Sequence, residues 1–172
     1  VESLPERLRS ALAKSTGESA RWPDDDEFQS AWLNAPLYRT LFRSRLRMLL
    51  EALDQAYPIG FGERYVLKEK LTVEHLLPQE WKPKWPLPED ATADQIALRE
   101  QLLHTIGNLT LLTKKLNPSV SNGAWGRKVT EIGKHSRLRM NLEIVNNWSD
   151  GWNEEKIRAR GAALFNMAVA LW

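Results

Sequence analysis

Glu74 and His75 stand side by side at the head of EHLLPQEW, and further along the chain the string GNLTLLTKKLN supplies Asn108 and Asn117. A carboxylate is a ligand for a hard metal ion, and an imidazole is a general base near neutral pH. An asparagine offers a neutral carbonyl oxygen to a cation such as magnesium, or hydrogen bonds that fix a loop. Hydrolysis of a phosphodiester needs a water made nucleophilic and a cation that takes charge from the phosphate and the leaving oxygen. One histidine and one divalent ion supply both. Neighbours on a regular strand point to opposite faces, so Glu74 and His75 share a site only where the strand ends or bulges, which the oncoming Pro78 favours. The same residues also fit a strand end, a turn and a structural histidine. Residue types alone leave both readings standing.

Composition removes several other chemistries. Cysteine is absent, which excludes disulfides and thiolate-ligated zinc. His75, His104 and His135 are too scattered for a polyhistidine metal site. No apolar run has the length of a membrane span, so the expected compartment is the cytoplasm. A formal net charge of +2 gives little whole-molecule attraction to nucleic acid, so any such binding must rest on local basic patches. Of the eight tryptophans, several are expected to anchor helices to the core and one or two to be exposed for ligand contact. A chain of 172 residues suits one domain. It divides into a helical part over 1–60, a core with an inserted proline-rich loop and helix over 61–134, and a second helical part over 135–172. The opening VESLPERLRS carries neither Met nor a signal peptide and reads as a boundary within a longer chain.

The elements that must position these residues are set by periodicity and breakers. Residues 4–15 read as a short helix. The acidic run Asp24 to Glu27 is either the cap of the next one or a solvated loop. From Phe28 to Tyr57 the pattern is helical, with Phe42, Leu46, Leu49, Leu53 and Tyr57 as an apolar stripe. Pro36 either starts a second helix there or kinks a long one. Arg39, Arg43 and Arg47 share another face, which is either a solvated, salt-bridged surface or a row that meets phosphates. PIGFGE ends the helical stretch, and ERYVLKEKLTV reads as one or two strands ending near Glu74. PQEWKPKWPLPED is an irregular loop. Residues 92–104 form a helix with Ile96, Leu102 and Leu103 inward. GNLTLLT is a strand, Pro118 interrupts the segment KKLNPSVSNGAW, and residues 125–134 are helical. A last helix runs over 153–171, capped by Asn153, with Trp152 stapled to Ile157. No Walker loop or dinucleotide fingerprint is present.

Glu74-His75-Leu76-Leu77-Pro78-Gln79 resembles the first motif of the HNH, or His-Me finger, endonucleases. Gly107-Asn108-Leu109-Thr110-Leu111-Leu112, with Asn117 nine residues after Asn108, is similar to their second. The longer set, with Ser121, Asn122 and Lys128, the preceding RLRMLLEALD and the closing Ile157, Arg160 and Trp172, resembles the C-terminal nuclease domain of GmrSD-type modification-dependent restriction enzymes.

The resemblance implies an α+β, mainly helical fold, with a small ββα-metal core surrounded by helices and its finger helix near Asn117 to Lys128. It implies that His75 is the general base and that Glu74 and Asn117 hold one Mg²⁺ or Mn²⁺. Asn108 would tie the strand to the loop so that His75 stays oriented. Asn122 and Lys128 would support the site or contact phosphate, although Lys128 equally fits a surface position. His104 is either a partner of the site or a structural histidine. The motif's acid is Glu74 where many relatives have Asp, and Pro118 after Asn117 implies a finger helix that is short or delayed.

The implied activity is metal-dependent cleavage of DNA that leaves 5′-phosphate and 3′-hydroxyl ends. The implied partners are an N-terminal ParB-like nucleotidase or sensor domain and, for cutting both strands, a second copy of the chain. The basic stretch Lys134, His135, Arg137 and Arg139 would track a backbone, and Trp81 and Trp85 would flank the cleft or pack. Two other classes stand beside this one: a nucleic-acid-binding or protein-interaction module with a dead site, and a helical scaffold without metal affinity.

Overall fold

The structure is a computed structural model that describes residues 3–15, 17, 22–57, 70–116 and 123–171. In chain order the elements are α1 (Leu4–Ala13), α2 (Asp25–Asn34), α3 (Leu37–Thr40), α4 (Arg43–Ala56), β1 (Leu71–His75), α5 (Ala93–Leu102), β2 (Leu109–Thr113), α6 (Trp125–His135), α7 (Arg139–Asn147) and α8 (Glu154–Leu171). This is the mainly helical α+β architecture that the sequence implied, with a two-stranded sheet at its centre.

β1 and β2 pair antiparallel, from Leu71 opposite Thr113 to His75 opposite Leu109. Alternation sorts the side chains. Leu71, Val73 and His75 share a face with Leu109 and Leu111, while Thr72 and Glu74 share the other with Thr110 and Leu112. The first face is packed by Trp32 of α2, Leu46, Leu50 and Leu53 of α4, and Leu164 and Ala168 of α8. On the second face Leu112 meets Trp125, Val129 and Ile132 of α6, Ile144 of α7, and the loop residues Leu76, Leu77 and Trp81. Each face of the hairpin thus has its own apolar cluster. The two residues of interest at its end look into different halves of the molecule.

Local signals explain the boundaries. Asp24 and Glu27 form a reciprocal capping box at the start of α2, with bonds of 2.8 and 3.0 Å. Thr92 and Gln95 do the same for α5. Pro36 separates α2 from α3, so the span has a break rather than one kinked helix. Asn153 Oδ1 accepts from Lys156 N at the head of α8, the expected cap.

Two apolar expectations are corrected. Phe42 is 73% exposed, because α4 begins only at Arg43 and Phe42 sits before its first turn; Leu50 takes the buried place instead. Ile96 is 41% exposed, since α5 is anchored by its second half, where Arg99, Leu102 and Leu103 are buried. α7 had not been separated within 135–172; Met140 and Ile144, one turn apart, are its buried face. The strands expected over 63–69, and the stretch with Asn117, Pro118 and Asn122, lie outside the described residues.

The turn before β2 is held against α8. A Cβ at Gly107 would run into the Ile157 carbonyl oxygen, so the two backbones meet at a distance that only glycine allows. Arg160, fully buried, donates through Nη1 to the Gly107 and Leu109 carbonyl oxygens at 2.8 Å each. These contacts fix the 3₁₀ turn Ile106–Asn108, and with it the side chain of Asn108.

Candidate active site

Asn108 joins the end of β1 to the start of β2. It is fully buried, and its side chain makes four hydrogen bonds. Oδ1 accepts from Leu77 N at 2.7 Å and from Trp152 Nε1 at 3.1 Å. Nδ2 donates to Leu77 O at 3.0 Å and to Leu103 O at 2.9 Å. Two donors and two acceptor positions are the whole capacity of an amide side chain, and all are used. Leu76 N also donates to Asn108 O, so the segment just after His75 is held at three points.

His75 closes β1 on the α4 side and is buried. Its Nε2 lies 3.1 Å from Nδ1 of His104, which is buried as well. Tyr38 of α3 packs against both rings, edge-on to His75 at 4.2 Å between centroids and stacked on His104 at 5.7 Å. The Arg43 guanidinium lies over Tyr38, 3.5 Å from the ring centroid, and donates to the Tyr38 carbonyl oxygen. Burial, then His104, Lys128 and Arg43, bring the His75 pKa down to about 3. Burial, then Arg39, lowers that of His104. Both rings are therefore neutral at physiological pH. One must donate and the other accept across the 3.1 Å contact. Among the described residues nothing bonds to His75 Nδ1.

Glu74 leaves the strand on the other face and meets α6. Lys128 Nζ is 3.1 Å from Glu74 Oε1 and 2.7 Å from the His75 carbonyl oxygen. Alternate residues of a strand present their backbone groups to opposite edges. Leu76 N points to β2, so the His75 carbonyl points to the edge away from β2, and Lys128 reaches β1 from there. Lys128 is fully buried, which removes its surface reading. Burial raises the Glu74 pKa against the help of Lys128, and burial lowers that of Lys128 against the help of Glu74. Each group is pushed toward neutrality by desolvation and held charged by the other.

The strand end does not turn Glu74 and His75 toward one another, because β1 stays in register through His75. Among the described residues no group of three or more His, Asp or Glu side chains is placed to hold a metal ion. A carboxylate oxygen is the ligand type a hard divalent cation takes, and Glu74 offers one with the Lys128 ammonium already on its Oε1.

Other expected site residues separate. Arg139 is buried and donates to Tyr57 O at 2.9 Å, so it does not track a backbone. Lys134 and His135 face Glu131. Trp81 is buried beneath Arg99 and donates to Glu100, and Trp85 donates to Gly123 O, so both pack. Tyr38 was not foreseen: a lone tyrosine ahead of an arginine row carries no sequence signal of contact with a histidine so far along the chain.

A family model described as GmrSD restriction endonucleases, C-terminal domain, matches residues 22–167. No curated protein and no solved structure matches the chain. Among the described residues no helix is long and apolar enough to cross a membrane.

Proposed function

The chain belongs to the family of GmrSD restriction endonuclease C-terminal domains, and from that premise we propose that it is the cutting domain of a restriction or phage-defence protein, an HNH-type, metal-dependent endonuclease that hydrolyses phosphodiester bonds of DNA. The observation that carries the reading is the His75–His104 contact at the end of β1. It holds a neutral imidazole by one nitrogen, and among the described residues nothing takes up the other.

In this reading His75 donates Nε2–H to His104 Nδ1, which keeps Nδ1 as the acceptor. A water gives its proton to Nδ1 as its oxygen attacks phosphorus and the bond to the 3′ oxygen breaks; the departing 3′ oxygen takes a proton from solvent, leaving a 5′-phosphate and a 3′-hydroxyl. An imidazole with a pKa of about 3 is a weak base in the free protein. The negative charge of an arriving phosphate raises it toward the range where general bases work. Asn108 holds the segment that orients His75. Glu74, with Asn117 outside the described residues, would hold a Mg²⁺ or Mn²⁺ ion, which supplies charge stabilisation to the phosphate when bound. The two side chains leave β1 on opposite faces, and in this reading the substrate approaches along the edge of β1 away from β2. Lys128, and Asn122 outside the described residues, support that arrangement. A sensor domain of the ParB-like nucleotidase type, a cytoplasmic setting and dimerisation for double-strand cleavage complete the proposal.

One observation favours a second reading, a DNA-binding module without catalysis: Lys128 already sits on the Glu74 carboxylate. Plasmid nicking in Mn²⁺ or Mg²⁺ by the unaltered chain and by His75→Ala separates the two. Nicking lost in the variant with DNA binding retained supports the nuclease. Equal nicking by both removes His75 as the base, and binding without nicking by the unaltered chain supports the module.

A further inference from the structure

Between the first turns of α4 and the edge of β1 away from β2 runs a groove of about 320 Å³. Arg43, Ser44 and Arg47 line it from the helix, and Lys70 and Thr72 from the strand side. Among the described residues that line it, none is acidic. Among the described residues the carboxylate paired with the row is Glu51, 3.4 Å from Arg47 and partly exposed, an exposed pair of the kind that exchanges easily. Arg43 and Lys70 are exposed.

The groove leads to the proposed base. Arg43 lies on Tyr38, and Tyr38 lies edge-on to His75. A phosphate at His75 would have its neighbours along the strand at Arg43, then at Arg47 and Lys70. A lone anion would use one of these cations, whereas a phosphodiester polymer uses the row. We infer that this groove seats the sugar–phosphate backbone of the DNA strand to be cut, with Arg43, Arg47 and Lys70 as its phosphate contacts. The inference rests on the nuclease reading for the position of the cut, and on its own observations for the binding. Contacts of this kind fix position without reading sequence.

The test is binding of two labelled duplexes of unrelated sequence, followed by fluorescence anisotropy in chelator, between about 50 and 200 mM salt. Arg47→Gln and Lys70→Gln are compared with the unaltered chain and with Arg158→Gln, which lies on α8 away from the groove. Thermal unfolding confirms that each variant is folded. Each groove variant is expected to weaken binding of both duplexes alike and to lower the slope of log affinity against log salt by about one. Arg158→Gln is expected to change neither. Unaltered affinity and slope in the Arg47→Gln, Lys70→Gln double variant overturn the inference, as does a loss confined to one sequence or tighter binding of a duplex RNA. Failure here with nicking intact leaves the nuclease reading standing. Groove variants that bind weakly, beside an unaltered chain that never nicks, leave the groove standing without it.

Discussion

The ammonium of Lys128 rests 3.1 Å from the carboxylate of Glu74, with the lysine fully enclosed by α6 and the sheet. The acid that the motif offers to a metal therefore comes with a resident cation. That cation also holds the His75 carbonyl, so it ties α6 to the strand that carries both candidate residues.

Breaking this pair should cost more than removing it. Lys128→Met leaves a buried carboxylate without its partner and is expected to destabilise the chain by about 3–5 kcal/mol. The double variant Glu74→Leu, Lys128→Met, apolar on both sides, should recover most of that loss. Urea unfolding of the two variants checks the order. A Lys128→Met protein as stable as the parent would show that the pair is not buried in solution.

Asn108 gives a second expectation. Asn108→Ala strands the Leu77 N–H and C=O, the Leu103 carbonyl and the Trp152 indole in a dry interior. Each unsatisfied group costs about 1–3 kcal/mol before relaxation. The variant should therefore lose cooperative folding or most of its stability by chemical denaturation. Asn108→Asp keeps the acceptors and loses the donors, and should fall between the alanine variant and the parent.

Much of this was legible in the residues. Asp24 and Asn153 are caps because their side chains bond nearby backbone, a local relation that sequence displays. The strands are legible in ERYVLKEKLTV and GNLTLLT, while the mainly helical class and the tie made by Asn108 come from the family resemblance. The direction of Glu74 did not, since it depends on Lys128 arriving from a helix far along the chain. Tyr38 and Arg43 over His75 were hidden for the same reason. Exposure of Phe42 turned on where α4 starts, and periodicity places helix ends less well than helix faces.

Gly107 is expected to tolerate no side chain. Gly107→Ala drives a methyl group into the Ile157 carbonyl oxygen, backbone rather than a flexible side-chain tip. Overpacking of this kind costs about 1–3 kcal/mol or more. Thermal unfolding should show a clear fall, whereas Gly126→Ala, with open space at its Cβ, should not.

His104 is assigned a positioning role, and its test separates that role from simple packing. His104→Phe keeps a ring under Tyr38 but cannot accept from His75 Nε2. Turnover in DNA nicking should fall by up to about 10²-fold, the low end of general-base contributions, with KM little changed. His104→Gln restores an acceptor and should regain part of the rate. Loss of rate with a matching rise in KM, or no rescue by Gln, would return His104 to packing alone. In the unaltered chain the ¹⁵N shifts of His75 should report a proton on Nε2 rather than Nδ1.

Acid stability depends on the same ring. His75 has a folded pKa of about 3, below its ordinary 6.5. Between those values the unfolded chain binds a proton that the folded chain refuses, so stability falls as pH falls through that window and is fully present above it. The slope from this one group is at most about 1.4 kcal/mol per pH unit. His104, lowered in the same direction, adds to it. Glu74, raised by burial, works in the opposite sense. Comparison with His75→Gln cancels the contributions the two proteins share. The parent should lose about 2 kcal/mol more than the variant when urea unfolding is moved from pH 7 to pH 5. Equal losses in both proteins would mean that His75 titrates near its ordinary value and is open to solvent, and the enclosed imidazole on which the proposed chemistry rests would be gone.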